Sequence, residues 1–225
     1  MFDIFEPVVA AISPSLPQRG EHAVAQLRAA ATRAAPAVAA GDRLIPIAGP
    51  IGRHLPAGGL RRGSTVALDG PPGAGSTTVA FQLAAATTSA GEWAAVVDPD
   101  ATLGARAAAE AGVVLERCAV VRRVPPDRWP AVVSALIDGV SFVVATVPPN
   151  LRPGDARRLT ARARQRATVL VALGGWPAEA VLRICAHGRD WSGLAAGEGL
   201  LANATLDVRV EGTAVRAPVR VARVV

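Results

Sequence analysis

From residue 64 onward the chain alternates between two textures. Short, unbroken apolar runs bounded by glycine, proline or aspartate are separated by longer stretches in which apolar positions recur every three or four residues. The runs at 64–69, 93–98 (WAAVVD), 117–122, 141–147 (SFVVATV) and 168–173 (TVLVAL) predict strands. The stretches at 76–90, 102–112, 127–138 and 154–166 predict helices. Strands that are apolar on both faces and spaced by helices predict a mostly parallel α/β sheet covered on both sides. After residue 178 the pattern changes: AVLRICA, LLANATLDVRV and TAVRAPVRVARVV predict an antiparallel extension of the same sheet. Upstream, 21–34 (EHAVAQLRAAATRA) predicts a helix, and the proline- and glycine-rich 35–63 an irregular connection. The chain thus divides into an N-terminal helical and irregular segment, 1–51, and a core domain with its β extension, 52–225.

Composition narrows the function classes. Apolar residues make up 51% of the 225, enough for a substantial core in one large domain. Aromatics are only 4%, with no tyrosine, which argues against single-strand binding by base stacking. Net charge is +6, and every basic residue except histidine is arginine. Such a balance permits a polyanionic partner without establishing one. Cys118 and Cys185 form no C-x-x-C pair, and His22, His54 and His187 are scattered, so reduced thiols and no metal site are expected. The N-terminus (MFDIFEPVVAAISPSLPQ) is acidic and proline-broken, unlike a signal peptide, and no apolar run approaches a membrane span. A cytoplasmic location without membrane contact is expected.

The chemistry-bearing stretch is Gly70-Pro-Pro-Gly-Ala-Gly-Ser-Thr-Thr78, set between a predicted strand and a predicted helix. It matches the phosphate-binding pattern G-x-x-x-x-G-K-[ST] at Gly70, Gly75 and Thr77, with Gly73 between and Thr78 following. Ser76 stands where the lysine would supply charge to the outer phosphates. The glycines are expected to serve the tight strand-to-helix turn. A phosphate-hydrolysing site also needs an acid at the end of a later strand to hold Mg²⁺. The tip of Phe142–Ala145 is Thr146. No cofactor is therefore expected, with ATP and Mg²⁺ disfavoured, no catalytic residue is assigned, and the protein is read as not an enzyme. Asp98 and Asp100 read either as a vestigial acid pair or as a strand end and a cap for helix 102–112.

Taken in order, these segments resemble the RecA family. LPAGGLRRGSTVALDGPPGAGSTT is similar to that family's approach to its phosphate loop. WAAVVDPDATLGARAAAEAGVVLERCAVVR is similar to its second strand and helix, where Asp100 is the counterpart of the catalytic glutamate. GVSFVVATV occupies the strand of the Mg²⁺ carboxylate, and Gly174 the place of a nucleotide-sensing glutamine. The resemblance spans roughly 52–211 and implies a RecA-like P-loop fold. Within it the chain is most similar to ImuA-type proteins of the actinobacterial branch, on GGWP (174–177) and the W-x-GL stretch from Trp191 to Leu194. That likeness implies a non-catalytic adaptor in SOS-type, damage-induced translesion synthesis and mutagenesis. The implied partners are an ImuB-like Y-family polymerase relative, RecA and an error-prone replicative polymerase, with DNA a further candidate.

Two groups of arginines are candidate DNA or partner contacts. Arg157, Arg158, Arg162 and Arg166 crowd the helix at 154–166, with Arg158, Arg162 and Arg166 on one face and Leu159 and Ala163 toward the sheet. Arg183 and Arg189, with His187, fall where RecA relatives place DNA-binding loops, on what reads as a short strand. Trp176 and Trp191 read as base-stacking candidates or as core and interface anchors. The alternatives to the adaptor are a weak ATPase using Thr77 and Asp100, a DNA-binding RecA paralogue, and a SulA-like cell-division inhibitor.

Overall fold

The computed structural model describes residues 44–195, 198–212 and 219–224; the predicted helix at 21–34 lies outside them. In chain order the strands are β1 (Leu44–Pro46), β2 (Gly59–Arg61), β3 (Thr65–Asp69), β4 (Ala94–Asp98), β5 (Cys118–Arg122), β6 (Phe142–Thr146), β7 (Val169–Leu173), β8 (Leu182–Ala195), β9 (Glu198–Gly212) and β10 (Val219–Val224). The helices are α1 (Gly49–Gly52), α2 (Ser76–Ser89), α3 (Ala105–Glu110), α4 (Trp129–Gly139) and α5 (Pro153–Arg166).

The main sheet has the order β10-β9-β8-β3-β7-β6-β4-β5. β8, β3, β7, β6, β4 and β5 run parallel, and β9 and β10 add antiparallel pairs at one end. This is the mostly parallel, RecA-like α/β architecture with an antiparallel extension that the hydrophobic pattern and the resemblance led us to expect. The reason is visible in the burial. Val66–Leu68, Ala94–Val97, Phe142–Ala145 and Val169–Ala172 are shielded on both faces, which requires continuous apolar runs rather than alternation.

The two faces carry separate cores. On one, α2 and α3 cover Val66, Leu68, Val96, Val144, Val171, Ile184, Leu206 and Val208. On the other, α4 and α5 cover Ala67, Val97, Val143, Ala145, Leu170 and Ala172 through Trp129, Val133, Leu159 and Ala163. Trp176 is buried in this second core and is a packing residue.

Two elements differ from expectation. Part of 35–63 is ordered: β1 pairs antiparallel with β2, and Ile45, Ile47, Ile51, Leu55 and Leu60 join the first core. Glycines at 52 and 59 allow this, because an added Cβ at Gly59 would collide with the Ile45 carbonyl. Their high glycine and proline content signals close backbone approach here, not irregularity. The helix expected at 102–112 is reduced to α3, because residues 98–103 form a turn organised by Asp98.

Phe142 is fully buried beneath α2 and between β4 and β7. Phe142→Ala should cost about 3–5 kcal/mol, whereas Val114→Ala, at an exposed position, should fall within about 0.5 kcal/mol. Urea melts check this: the midpoint should shift for the first variant alone, with the slope unchanged.

Candidate functional site

In a parallel sheet, ligand sites form beyond the carboxyl ends of the strands. Here those ends present Asp69 and the glycine loop after β3, Gly174 after β7, Thr146 on β6, Asp98 on β4 and Arg122 on β5. β7 separates the glycine-loop strand from the strand carrying Thr146.

The loop keeps its backbone geometry. Gly70, Gly73 and Gly75 have φ of 156°, 82° and 100°, values that side chains resist. Gly75 is the N-cap of α2, and no side chain caps that helix. The Ser76 hydroxyl turns back to donate to the Asp69 carbonyl at 3.2 Å. Gly70 and Gly73 are exposed, while Ala74 and Gly75 are buried.

The cover over Gly75 comes from the β8–β9 ribbon. A Cβ at Gly75 would overlap Leu206 Cδ2 and stand 3.4 Å from Arg189 Nη2. Arg189 Nη2 donates to the Thr78 hydroxyl at 2.7 Å. Behind the loop, a Cβ at Gly70 would lie 2.6 Å from the Ala186 carbonyl oxygen. Ser76, at the position of the pattern's lysine, is neutral, and a guanidinium from a strand more than a hundred residues later reaches the loop's end at Gly75 and Thr78.

A bulge sets this up. In β8 the register shifts between Ala186 and Gly188, so that Arg189 pairs with Leu206 while Ile184 and Ala186 pair with Val210 and Val208. The extra residue moves Arg189 onto the face shared by Ile184, Ala186, Leu206 and Val208, which looks at the loop. Arg183 and Arg189 are therefore not one group on a short strand. Arg183 precedes the bulge on the opposite face and is ion-paired with Asp69. Arg189 stacks over the exposed Trp191, 5.3 Å from the ring centroid, so Trp176 and Trp191 do not act together. The sequence signal for the bulge is Gly188 inside a strand pattern.

The acid pair divides. Asp98 is fully buried and accepts hydrogen bonds from the backbone N–H groups of Thr102 and Leu103, each at 3.0 Å. Arg122 Nε stands 3.6 Å from its carboxylate. Asp98, not Asp100, organises the turn; α3 has Gly104 as its N-cap. Asp100 is exposed and has no partner among the described residues. Thr146 Oγ1 is buried and accepts or donates no hydrogen bond among the described residues.

The arginines of α5 also divide. Asp138 on α4 takes two hydrogen bonds from Arg162, at 2.8 and 2.5 Å, and one from Arg166 at 3.0 Å. Arg158 pairs with Asp155 at 3.3 Å. The i, i+4, i+8 row is thus largely engaged in holding α5, while Arg157 is exposed and unpaired. Burial raises the pKa of the Asp138 carboxyl, but the hydrogen bond from Arg162 and the charges of Arg162 and Arg166 outweigh it, and the net direction is down. Both cysteines are free, and burial pushes the Cys118 thiol up to about 11. No group of three His, Cys, Asp or Glu is placed to hold a metal among the described residues, and no helix there is long and apolar enough to cross a membrane.

A family model described as MT3502 N-terminal domain matches residues 53–178. The matched span contains the glycine loop, both acids and α5, and ends before the ribbon that reaches the loop. No curated protein matches the chain.

Removing a buried, paired carboxylate leaves its partners uncompensated. Asp98→Ala should cost about 3–5 kcal/mol, and Asp100→Ala should stay within about 0.5 kcal/mol, both by urea melts. Equal, small effects would restore the reading of a spare acid pair. A depressed native pKa stabilises above the unfolded carboxylate value of about 3.9, and that contribution is lost as pH falls through the lower native value. Asp138→Asn should therefore reduce stability at neutral pH and flatten its decline below about pH 4 in thermal melts across pH.

Proposed function

The chain belongs to the MT3502 N-terminal domain family, and from that premise we propose that it is a non-catalytic, RecA-fold adaptor in damage-induced translesion synthesis. In this reading it binds an ImuB-like Y-family polymerase relative, with RecA and an error-prone replicative polymerase as further members of the assembly. Its resemblance to ImuA-type proteins supports the role. The observation that carries the non-catalytic part is the cover over Gly75 at the helix end of the loop. Leu206 and Arg189 sit against Gly75, where close approach of a phosphate to the backbone would be needed. The Ser76 hydroxyl is directed to the Asp69 carbonyl, and Thr146 offers no carboxylate. An ATPase would need at least two of these positions to be different.

One observation favours a second reading. Arg189 restores a positive charge beside the N-terminus of α2, so a weak nucleotide site using Arg189 in place of lysine is the competing proposal.

Calorimetric titration of ATP with Mg²⁺ separates the two. The adaptor reading expects no binding heat from the native chain, and none from Ser76→Lys alone, because Leu206 and Arg189 still cover Gly75. Micromolar binding by the native chain, abolished by Arg189→Ala, would establish the nucleotide site instead. Gel filtration with the ImuB-like polymerase relative tests the partner: co-elution is expected, and separate elution at micromolar concentrations would overturn the adaptor role.

A further inference from the structure

We propose that the outer face of α5, together with the turn after β2, is a sequence-independent binding face for the phosphate backbone of a nucleic-acid duplex, centred on Arg157, Arg164 and Arg61. This does not rest on the adaptor reading or on the state of the glycine loop.

The charges are the first argument. Arg152, Arg157 and Arg164 are exposed, and none has an ion-pair partner among the described residues. Arg157 and Arg164 are two helical turns apart and project from one side of α5. That side is distinct from the one where Arg162 and Arg166 reach Asp138. The turn closed by the Ser64 N–H on the Arg61 carbonyl lies against the end of α5. There, a Cβ at Gly63 would stand 3.0 Å from Arg164 Cα. This brings the exposed Arg61 into the same neighbourhood, while its sequence neighbour Arg62 is held by Glu92. The acids on or beside this face, Asp155, Asp138 and Glu92, are already paired with Arg158, with Arg162 and Arg166, and with Arg62.

Helix stability does not explain the arrangement. Cations are favourable near a helix C-terminus and unfavourable near its N-terminus, where the backbone dipole is already positive. Arg164 fits that rule. Arg152 at the N-cap opposes it and makes no side-chain cap. The helix start and the Arg152 guanidinium reinforce one another as a positive field, which suits an anionic partner.

The texture of the face selects among anionic partners. A protein interface usually has an apolar centre with aromatic anchors. Between the arginines of α5 lie Gly154, Ala161 and Gln165. The large hydrophobic residues exposed among the described residues are Val114 and Trp191, and neither lies on α5 or this turn. Without aromatic rings there is no platform for unstacked bases, which argues against single strands. Planar guanidiniums along a ridge with no large apolar side chain match phosphate oxygens bidentately, with no element to read bases.

Fluorescence anisotropy of the full chain with a labelled, random-sequence DNA duplex tests the proposal over about 50–200 mM salt. Binding should weaken steeply with salt. The variant Arg61→Ala/Arg157→Ala/Arg164→Ala should bind about tenfold more weakly or worse at low salt, with the logarithmic salt slope reduced by about 3, one per lost phosphate contact. All three side chains are exposed, so its melting curve should match the native one. Arg106→Ala, an exposed arginine on another helix, should change affinity less than about twofold. An RNA duplex should compete, because only the backbone is contacted. Native-like binding by the triple variant would overturn the proposal. So would no duplex binding alongside retention on a polyglutamate column, which would assign the face to an acidic protein.

Discussion

Four neighbouring strands, β3, β7, β6 and β4, have almost no residue to show to water, and the rest of the molecule follows from that. A strand sealed on both faces can present function only at its tips, so Asp69, Gly174, Thr146 and Asp98 are the places where chemistry could occur. Each tip must also settle its own backbone groups without help from a side face. Asp98 does so by accepting two turn amides, and the Ser76 hydroxyl does so by bonding the Asp69 carbonyl. In both cases a side-chain oxygen at the tip is spent on local structure.

The sheet's open end then determines what covers the glycine loop. β3 has β7 on one side and β8 on the other, so whatever β8 carries past the end of β3 passes directly beside the loop. β8 and β9 are long enough to continue beyond it. The bulge between Ala186 and Gly188 decides which side chains face inward. Without that one-residue shift, Arg189 would follow Arg183 to the other face. Gly188 and Asp190 would then take the inward positions, and no guanidinium would reach the loop from this strand.

The parallel core was legible because its strands are buried on both sides, and continuous apolar runs between helices have few other solutions. The loop, its glycines and the neutral Ser76 were legible for a similar reason, being local in sequence. What escaped was non-local. Arg189 and Leu206 come from adjacent strands over a hundred residues away, and their meeting at Gly75 depends on a register that alternation does not encode. Asp98 ends its strand as expected, but the turn amides assigned to Asp100 are taken by Asp98 instead, because a buried carboxylate and an exposed one look alike in a sequence. On α5, helical spacing correctly aligned Arg158, Arg162 and Arg166, but it could not show that Asp138 on another helix engages two of them.

The same separation shapes how positive charge is distributed over the molecule. A chain with no lysine must do every electrostatic job with guanidinium, a group whose planar fork suits carboxylates and phosphates alike. Where a carboxylate is within reach, as at Asp69, Asp98, Asp138 and Glu92, arginine serves as a tether between elements. The arginines whose charge is open to solvent are therefore those left over after these internal pairs are formed. Arginine density along the sequence is a poor guide to an interface, because the densest row on α5 is the most fully engaged. Its sparser neighbour, Arg157 and Arg164, carries charge that no carboxylate pairs among the described residues.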